Sequence, residues 1–403
     1  MLVLTSPGLV HPMNRKVYAD NAATTPMSSS AIEAMTECMR DDYGNPSGVH
    51  SLSQQARAIM DDARKRISNC IGANPNEIFF TSNGSESDNW AIKGVAELKK
   101  GEGCHIITTS IEHHAIINSC EHLKSQGYEI TYLPTDENGL VAVESLQKEI
   151  RDDTILISVM MANNEVGTIQ PIKELAQVAK EHNILFHTDA VQTVGHLPVN
   201  VDELGVDLLT MAGHKFGGPK GIGALYMRRG IKLPALIHGG GQEKGMRAGT
   251  ENVAAAIGMA AALESSVAEM ADEADRLSRL RDKLIAEILK IPDSCLTGHP
   301  TSRLPGIASF AFQGIEGESA VLMLDYRGIQ ASTGSACSTG SLAASHVLDA
   351  IGVPPSLSHG SVRFSLGAVN SEEDVAAILE HMPIVVERLR SLPPLCSCGT
   401  KKN

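Results

Sequence analysis

Cysteine is scarce, with eight residues among 403, at positions 38, 70, 104, 120, 295, 337, 396 and 398. That density is too low for the cross-linked framework of a small secreted domain, so the thiols read as mostly reduced. Positive charge is short as well, 34 Lys and Arg against 47 Asp and Glu, for a net charge of −13. Such a balance repels phosphate backbones and argues against a nucleic-acid partner. No apolar run reaches the roughly 18–20 residues that cross a bilayer; the longest, around Val253–Leu263, falls well short, and no membrane partner is expected. Residues 1–16 show no basic residue ahead of their short apolar run and no clear cleavage site. They fail as a secretory signal, which leaves the cytoplasm as the expected location. A Walker-type phosphate loop, the three-glycine dinucleotide fingerprint and the HExxH zinc motif do not occur, and no solenoid-length repeat is visible.

What is present is the composition of a soluble globular protein, 42% apolar and 20% charged. At about 100–200 residues per domain the length predicts two to four lobes. Seven β-rich runs lie in the first 230 residues: EIFFT (77–81), CHIITT (104–109), YEITYL (128–133), TILISVM (154–160), ILFHTDA (184–190), VDLLTM (206–211) and IGALYM (222–227). Between them, apolar residues recur at three- and four-residue steps in Glu86–Lys100, Ala115–Gln126, Val143–Arg151 and Ile172–His182. The alternation predicts an α/β fold, a mostly parallel seven-stranded sheet covered by helices on both faces. Glu251–Lys290 reads as one long or broken helix, followed by a smaller α+β domain whose last helix Pro383 should kink or break. The expected division is a large domain over 17–262, a small one from 1–16 and 263–390, and a loose tail over 391–403.

Ligands of open α/β sheets sit beyond the carboxyl ends of the strands, so the residues just after each run matter most. Gly84 and Ser85 follow the first run in a small-residue turn that suits a phosphate, although an ordinary capped helix start looks the same. His187, Asp189 and Gln192 end another run, and a carboxylate there needs backbone N–H donors or a cationic ligand. His214 and Lys215 sit in a glycine-rich turn; the lysine is either a solvated charge or, desolvated, a Schiff-base former. An acid, such a lysine and a phosphate cradle are together what pyridoxal phosphate requires. His113 is either a flat partner for a heterocycle or a helix-start histidine, while a zinc site at Glu112-His113-His114 lacks a second ligand pair. Cys337, among serines, threonines and glycines, reads as a reactive thiol, and the Cys396/Cys398 pair on the tail offers a metal too few ligands. Arg363, inside a strand, needs a carboxylate, structural or a substrate's own.

The stretches VYADNAATTP, GNPSGVHS, FTSNGSESDN, IEHHAI, MMANNEVGTIQP, HTDAVQTVG, GHKFGGPKGIGALY, HGGGQEKGMRAGTENV, STGSACSTGSLAASHVLDAIG and VRFSLG resemble the NifS/IscS-type cysteine desulfurases. They run in family order from about residue 17 to 370. The resemblance implies a class V, fold-type I aminotransferase-like homodimer whose large domain binds pyridoxal 5'-phosphate. It also implies removal of sulfur from L-cysteine, leaving alanine and a persulfide on Cys337 for an iron–sulfur scaffold or another acceptor protein. By the same resemblance Lys215 is the Schiff-base lysine, Asp189 the partner of the pyridine nitrogen and His113 the stacking acid/base. Gly84, Ser85 and His214 are phosphate contacts, Thr250 a contact across the dimer, Gln192 and Asn164 hydrogen-bond partners of cofactor and substrate. Asn45, Asn164 and Arg363 are substrate contacts. No resident metal is implied beyond Cys337 as a transient iron–sulfur ligand shared with a scaffold. Family sequences commonly carry a hydroxyl residue where Ala212 stands, and glycine and threonine where Asn83 and Ser85 stand. The alternatives are a selenocysteine lyase-type enzyme, a non-catalytic assembly scaffold and a zinc hydrolase at His113/His114.

Overall fold

The computed structural model describes residues 16–334 and 345–392, so Cys337, Cys396 and Cys398 lie outside the described residues. The chain enters at β1 (Val17–Tyr18) and builds its main sheet from β2 (Ile78–Thr81), β3 (His105–Thr109), β4 (Glu129–Leu133), β5 (Thr154–Ser158), β6 (Leu185–Asp189), β7 (Leu208–Ala212) and β8 (Gly223–Met227). These are the seven runs expected from sequence. Their order is β2-β8-β7-β6-β5-β3-β4, parallel except for β8, which is antiparallel to both neighbours. Successive residues of a strand point to opposite faces, so a run that is apolar throughout must be covered twice. Accordingly Leu156, Leu208 and Leu225 meet Trp90 and Ile116 on one side, while Ile157, Leu209 and Tyr226 meet Leu175 and Met259 on the other.

The covering helices are α1 (Ser29–Asp41), α2 (Ser51–Cys70), α3 (Gly84–Leu98), α4 (His114–Lys124), α5 (Val143–Glu149), α6 (Ile172–Glu181), α7 (Val201–Leu204) and α8 (Val253–Ile288). Among them α3 and α4 pack one face, and α2, α6 and the first turns of α8 pack the other. The first two helices escaped the sequence reading. Only Ala56, Met60, Ala63 and Ile67 give α2 its buried apolar stripe, and the rest of it is mostly polar. The long segment after Glu251 resolves as a single helix of 36 residues, capped by Asn252, whose side chain accepts from Ala255 N. At about 1.5 Å per residue it is roughly 54 Å long. By length and composition alone it could cross a membrane. Its apolar face is instead spent inside the protein: Met259, Ala260, Ala262 and Leu263 lie in the main core and Leu277, Leu280, Leu284 and Ile288 in a second one.

That second core is built by β9 (Ser294–Leu296), β10 (Ile307–Phe312), β11 (Ile329–Gln330) and β12 (Ser361–Ser365) with α9 (Gly317–Tyr326) and α12 (Glu372–Arg390), while α10 (His346–Ala350), which precedes α11 (Pro355–Ser358), packs Val347 and Leu348 against Ile111, Met160 and Val166. Three of these strands form an antiparallel sheet in the order β12-β10-β9, and β11 pairs in parallel with β1. The expected break at Pro383 does not occur, since α12 runs through it. Proline inside a helix costs about 3 kcal/mol. Val375, Ile378, Met382, Val385 and Val386 are all buried along one stripe, and each such side chain contributes roughly 1.5–3 kcal/mol. Packing therefore outweighs the lost hydrogen bond, and Pro383 itself lies on the exposed side.

Candidate active site

The polar residues singled out from sequence gather at the carboxyl ends of β2, β3, β5, β6 and β7, the edge where an open α/β sheet offers a crevice. After β2, Asn83 caps α3 by accepting from Glu86 N at 2.9 Å. The helix start leaves the N–H groups of Gly84 and Ser85 without intrahelical acceptors. Gly84 has no room for a side chain, because a Cβ there would fall 2.8 Å from Val191 Cγ2. Glu86 accepts from Ser82 N and takes a two-bond contact from Arg247 at 2.8 and 3.0 Å. Against the pull of burial, these donors hold Glu86 below the usual carboxylate range and anchor the turn.

After β3, His113 caps α4, its Nδ1 accepting from Ala115 N at 3.1 Å. Burial, then the charge of Lys215, pushes its imidazole down to about 4. It is neutral at physiological pH, and because Nδ1 accepts, the proton sits on Nε2. Glu112 beside it is fully buried and bonded through Oε1 to Thr109 Oγ1 (2.8 Å) and Met160 N (2.9 Å). Burial raises this carboxyl to about 8. The zinc reading of Glu112-His113-His114 gathers no third ligand among the described residues. His114 instead meets His346 edge to face, at 4.7 Å between ring centres.

Asp189 is the last residue of β6, 6% exposed, and its Oδ1 accepts from Val191 N at 2.9 Å. Burial raises it to about 6, opposed by the Val191 N–H and by the Lys215 ammonium. Lys215 stands in the tight turn Gly213–Lys215 after β7, and its Nζ donates to Ala22 O and to Ala23 O (2.9 Å). Gln192 Nε2 donates to the same Ala22 carbonyl at 2.9 Å. His196, absent from the sequence reading, bonds the Lys215 carbonyl at 2.8 Å and fixes the turn from below. His214 Nδ1 lies 3.1 Å from Thr24 Oγ1, and burial pushes this imidazole down to about 4. The segment Asp20–Thr25 thus lies across the lysine turn.

Arg363 reaches the same crevice from β12, 2% exposed, with Nη1 donating to Asn164 O (2.7 Å) and Nη2 to Asp20 Oδ1 (2.8 Å). Its Nε has no partner among the described residues. Asp20 and Glu165 were missed from sequence. Glu165 accepts a 2.5 Å bond from Ser345 Oγ, and a Cβ on Gly334 would lie 2.8 Å from the same carboxylate oxygen. Both residues that flank the 335–344 segment therefore meet next to Asn164. Asn45 and Thr250 are not brought to the cluster: Asn45 sits exposed in a turn where its Oδ1 accepts from Ser47 N, and Thr250 is exposed after Gly249.

The arrangement combines a buried carboxylate, a lysine, a neutral imidazole, a helix start and a buried guanidinium, carried on a mostly parallel seven-stranded sheet. These features define an aminotransferase-like α/β protein, and the chain belongs to the aminotransferase class-V family, whose model matches residues 17–378. More particularly, cysteine desulfurase IscS of Methanosarcina thermophila is 52% identical over 382 residues, 95% of this chain and 95% of its own length. The Dictyoglomus turgidum cysteine desulfurase IscS is 53% identical over 383 residues, 95% of this chain and 97% of its own. A solved structure of a NifS-like protein superposes with a TM-score of 0.88 at 38% identity, covering 93% of this chain and 100% of that one. The fold-type I architecture and the NifS/IscS kinship expected from sequence are both found. Nothing in these comparisons supports the selenocysteine, scaffold or hydrolase alternatives.

Proposed function

We propose that this chain is a pyridoxal-phosphate-dependent cysteine desulfurase that takes sulfur from L-cysteine, leaves L-alanine and holds the sulfur as a persulfide on Cys337. The observation that carries the reading is the meeting of Asp189, His113 and Lys215 at one sheet edge, close enough that the lysine's charge acts on both other groups. The residues fit the cofactor. Asp189 is a buried carboxylate with one N–H donor, suited to a protonated pyridine nitrogen. The start of α3 offers N–H groups to a phosphate where Gly84 excludes any side chain.

When bound, pyridoxal phosphate supplies an electron sink for the pair left when the substrate Cα loses its proton. Lys215 would hold the cofactor aldehyde, and its Nζ would take up that proton. Asp189 would keep the ring nitrogen protonated, and His113, neutral with its hydrogen on Nε2, would face the cofactor and move a proton to or from the reacting atoms. Gly84, Ser85 and His214 hold the phosphate, with Thr250 contributed by the other subunit of a homodimer. Gln192 and Asn164 would orient cofactor and substrate. Arg363 binds the substrate carboxylate in exchange for Asp20. Cys337, as a thiolate, would form an S–S bond to the substrate sulfur as its C–S bond breaks, and the bonding pair would pass to carbon, which takes a proton from His113 Nε2 to become the methyl group of alanine.

The division into a large domain (17–262) and a small one (1–16 and 263–390), a cytoplasmic location and delivery to an iron–sulfur scaffold or other acceptor protein complete the reading. The test pairs two variants. Lys215→Ala should abolish borohydride fixation of the cofactor to that position. Cys337→Ser should retain the cofactor absorption band while sulfide release is lost. Fixation that persists in the first, or normal turnover in the second, rejects the corresponding role.

A further inference from the structure

Beneath Asp189, on the α3 side of the sheet, runs a chain of polar side chains shut off from water. Asp88 on α3 is 1% exposed, and Ser158 on β5, His187 on β6 and Thr210 on β7 are each 0% exposed. Ser158 Oγ lies 2.9 Å from His187 Nδ1, and His187 Nε2 lies 3.0 Å from Thr210 Oγ1 and 3.8 Å from Asp88 Oδ1. The Thr210 hydroxyl also acts on the Asp88 carboxyl, favouring its ionised form, and Thr210 stands beside Asp189 in the register of β6 and β7. Asp88 Oδ1 has no hydrogen-bond partner among the described residues. Serine, histidine and aspartate suggest a hydrolytic triad, but Ser158 sits in the middle of the sheet with no exposed surface, so no substrate reaches it.

The chain instead poses a question of charge. Two carboxyls, Asp88 and Asp189, share a dry floor, and like charges so placed do not both ionise. Asp189 has the Val191 N–H at 2.9 Å and the nearby Lys215 ammonium to favour its ionised form. Asp88 has neither. The charged groups that act on it are Asp189 and Glu112, both carboxyls, and its imidazole neighbour His187 is pushed down to about 3 by burial and supplies no cation. Burial first, and the charge of Asp189 second, hold Asp88 well above the usual carboxylate range.

We propose that Asp88 and Asp189 form a carboxyl pair in which Asp88 keeps its proton, a positioning residue that confines the pair's single negative charge to Asp189. The inference rests on the reading above, in which Asp189 meets the cofactor's ring nitrogen. In that setting a neutral Asp88 leaves Asp189 as the one acceptor for the ring proton, and Thr210 and His187 hold Asp88 in place from behind.

Infrared spectra of the full-length, cofactor-loaded protein test this. At neutral pH the carbonyl band of an un-ionised carboxyl should be lost on going from wild type to Asp88→Asn. In Asp189→Asn, the Asp88 band should titrate away at a pH lower by roughly one unit or more, the size of shift that marks coupled acids. Should Asp88→Asn fail to fold, Thr210→Val serves in its place: removing the hydroxyl that favours the carboxylate should move the Asp88 midpoint upward. No band assignable to Asp88 at neutral pH, or a midpoint that ignores Asp189→Asn, overturns the proposal. The same spectra of the cofactor-free chain separate this from the cofactor assignment. If Asp189 did not face the ring, the carboxyl coupling would persist in both forms, while Asp189→Asn would leave the cofactor's own visible absorption unmoved.

Discussion

At Ala212 a methyl group ends β7 where NifS/IscS-type sequences commonly carry a hydroxyl. The Ala212 Cβ lies 3.5 Å from the place a Cβ on Gly84 would take, so a side chain here borders the first turn of α3. Ala212→Ser should place a donor beside the bound phosphate. At about 0.5–1.5 kcal/mol per hydrogen bond, cofactor affinity should rise roughly 2- to 10-fold, readable by fluorescence titration of the cofactor-free protein. Glu112 offers a test by pH. Its folded value of about 8 lies above the ordinary glutamate value, so the folded state holds the proton more tightly than the unfolded one. The resulting contribution is fully present below about pH 4 and is lost as pH rises through the folded value. Glu112→Gln should therefore gain stability over wild type between about pH 5 and 8, on the order of a few kcal/mol, in urea unfolding at stepped pH. Lys215, Asp189 and His113 were legible in the sequence because each follows a β-rich run. Asp20, Glu165 and Asp88 were not, because their meaning lies in distant partners: Asp20 and Arg363 are 343 positions apart.

Among the elements, the strands of the main sheet were plain from apolar, β-branched runs that need cover on both faces. The helices α1 and α2 were hidden, since two buried residues in α1 and four small or medium apolar ones in α2 suffice to seat a mostly polar helix on a neighbour. At α12, of the kink or break that the local rule for proline gives, the break does not occur, because the helix runs on through Pro383. Pro383→Ala restores one backbone donor on the exposed side and should raise stability by about 1–3 kcal/mol in chemical denaturation without altering cofactor binding. A loss of stability would mean that the ring is packed against something the exposed face does not suggest.

For the molecule as a whole, Ile32 and Met39 on α1 and Tyr43 and Val49 just beyond it are exposed, Tyr43 at 77% and Val49 at 89%. Such side chains on neighbouring segments suit burial against a second copy, in line with the homodimer proposed above. The protein should sediment as a dimer at micromolar concentration, and Tyr43→Glu combined with Val49→Glu should shift it toward monomer. A wild-type monomer under those conditions removes the basis for placing Thr250 in the other subunit's site. The helix α8 imposes a condition of its own, because its first turns are seated in one core and its last turns in another. It acts as an axle common to both cores: a swivel of one against the other would have to bend the shaft along its more exposed middle turns, and stiffness there would limit any movement of Arg363 with respect to Lys215.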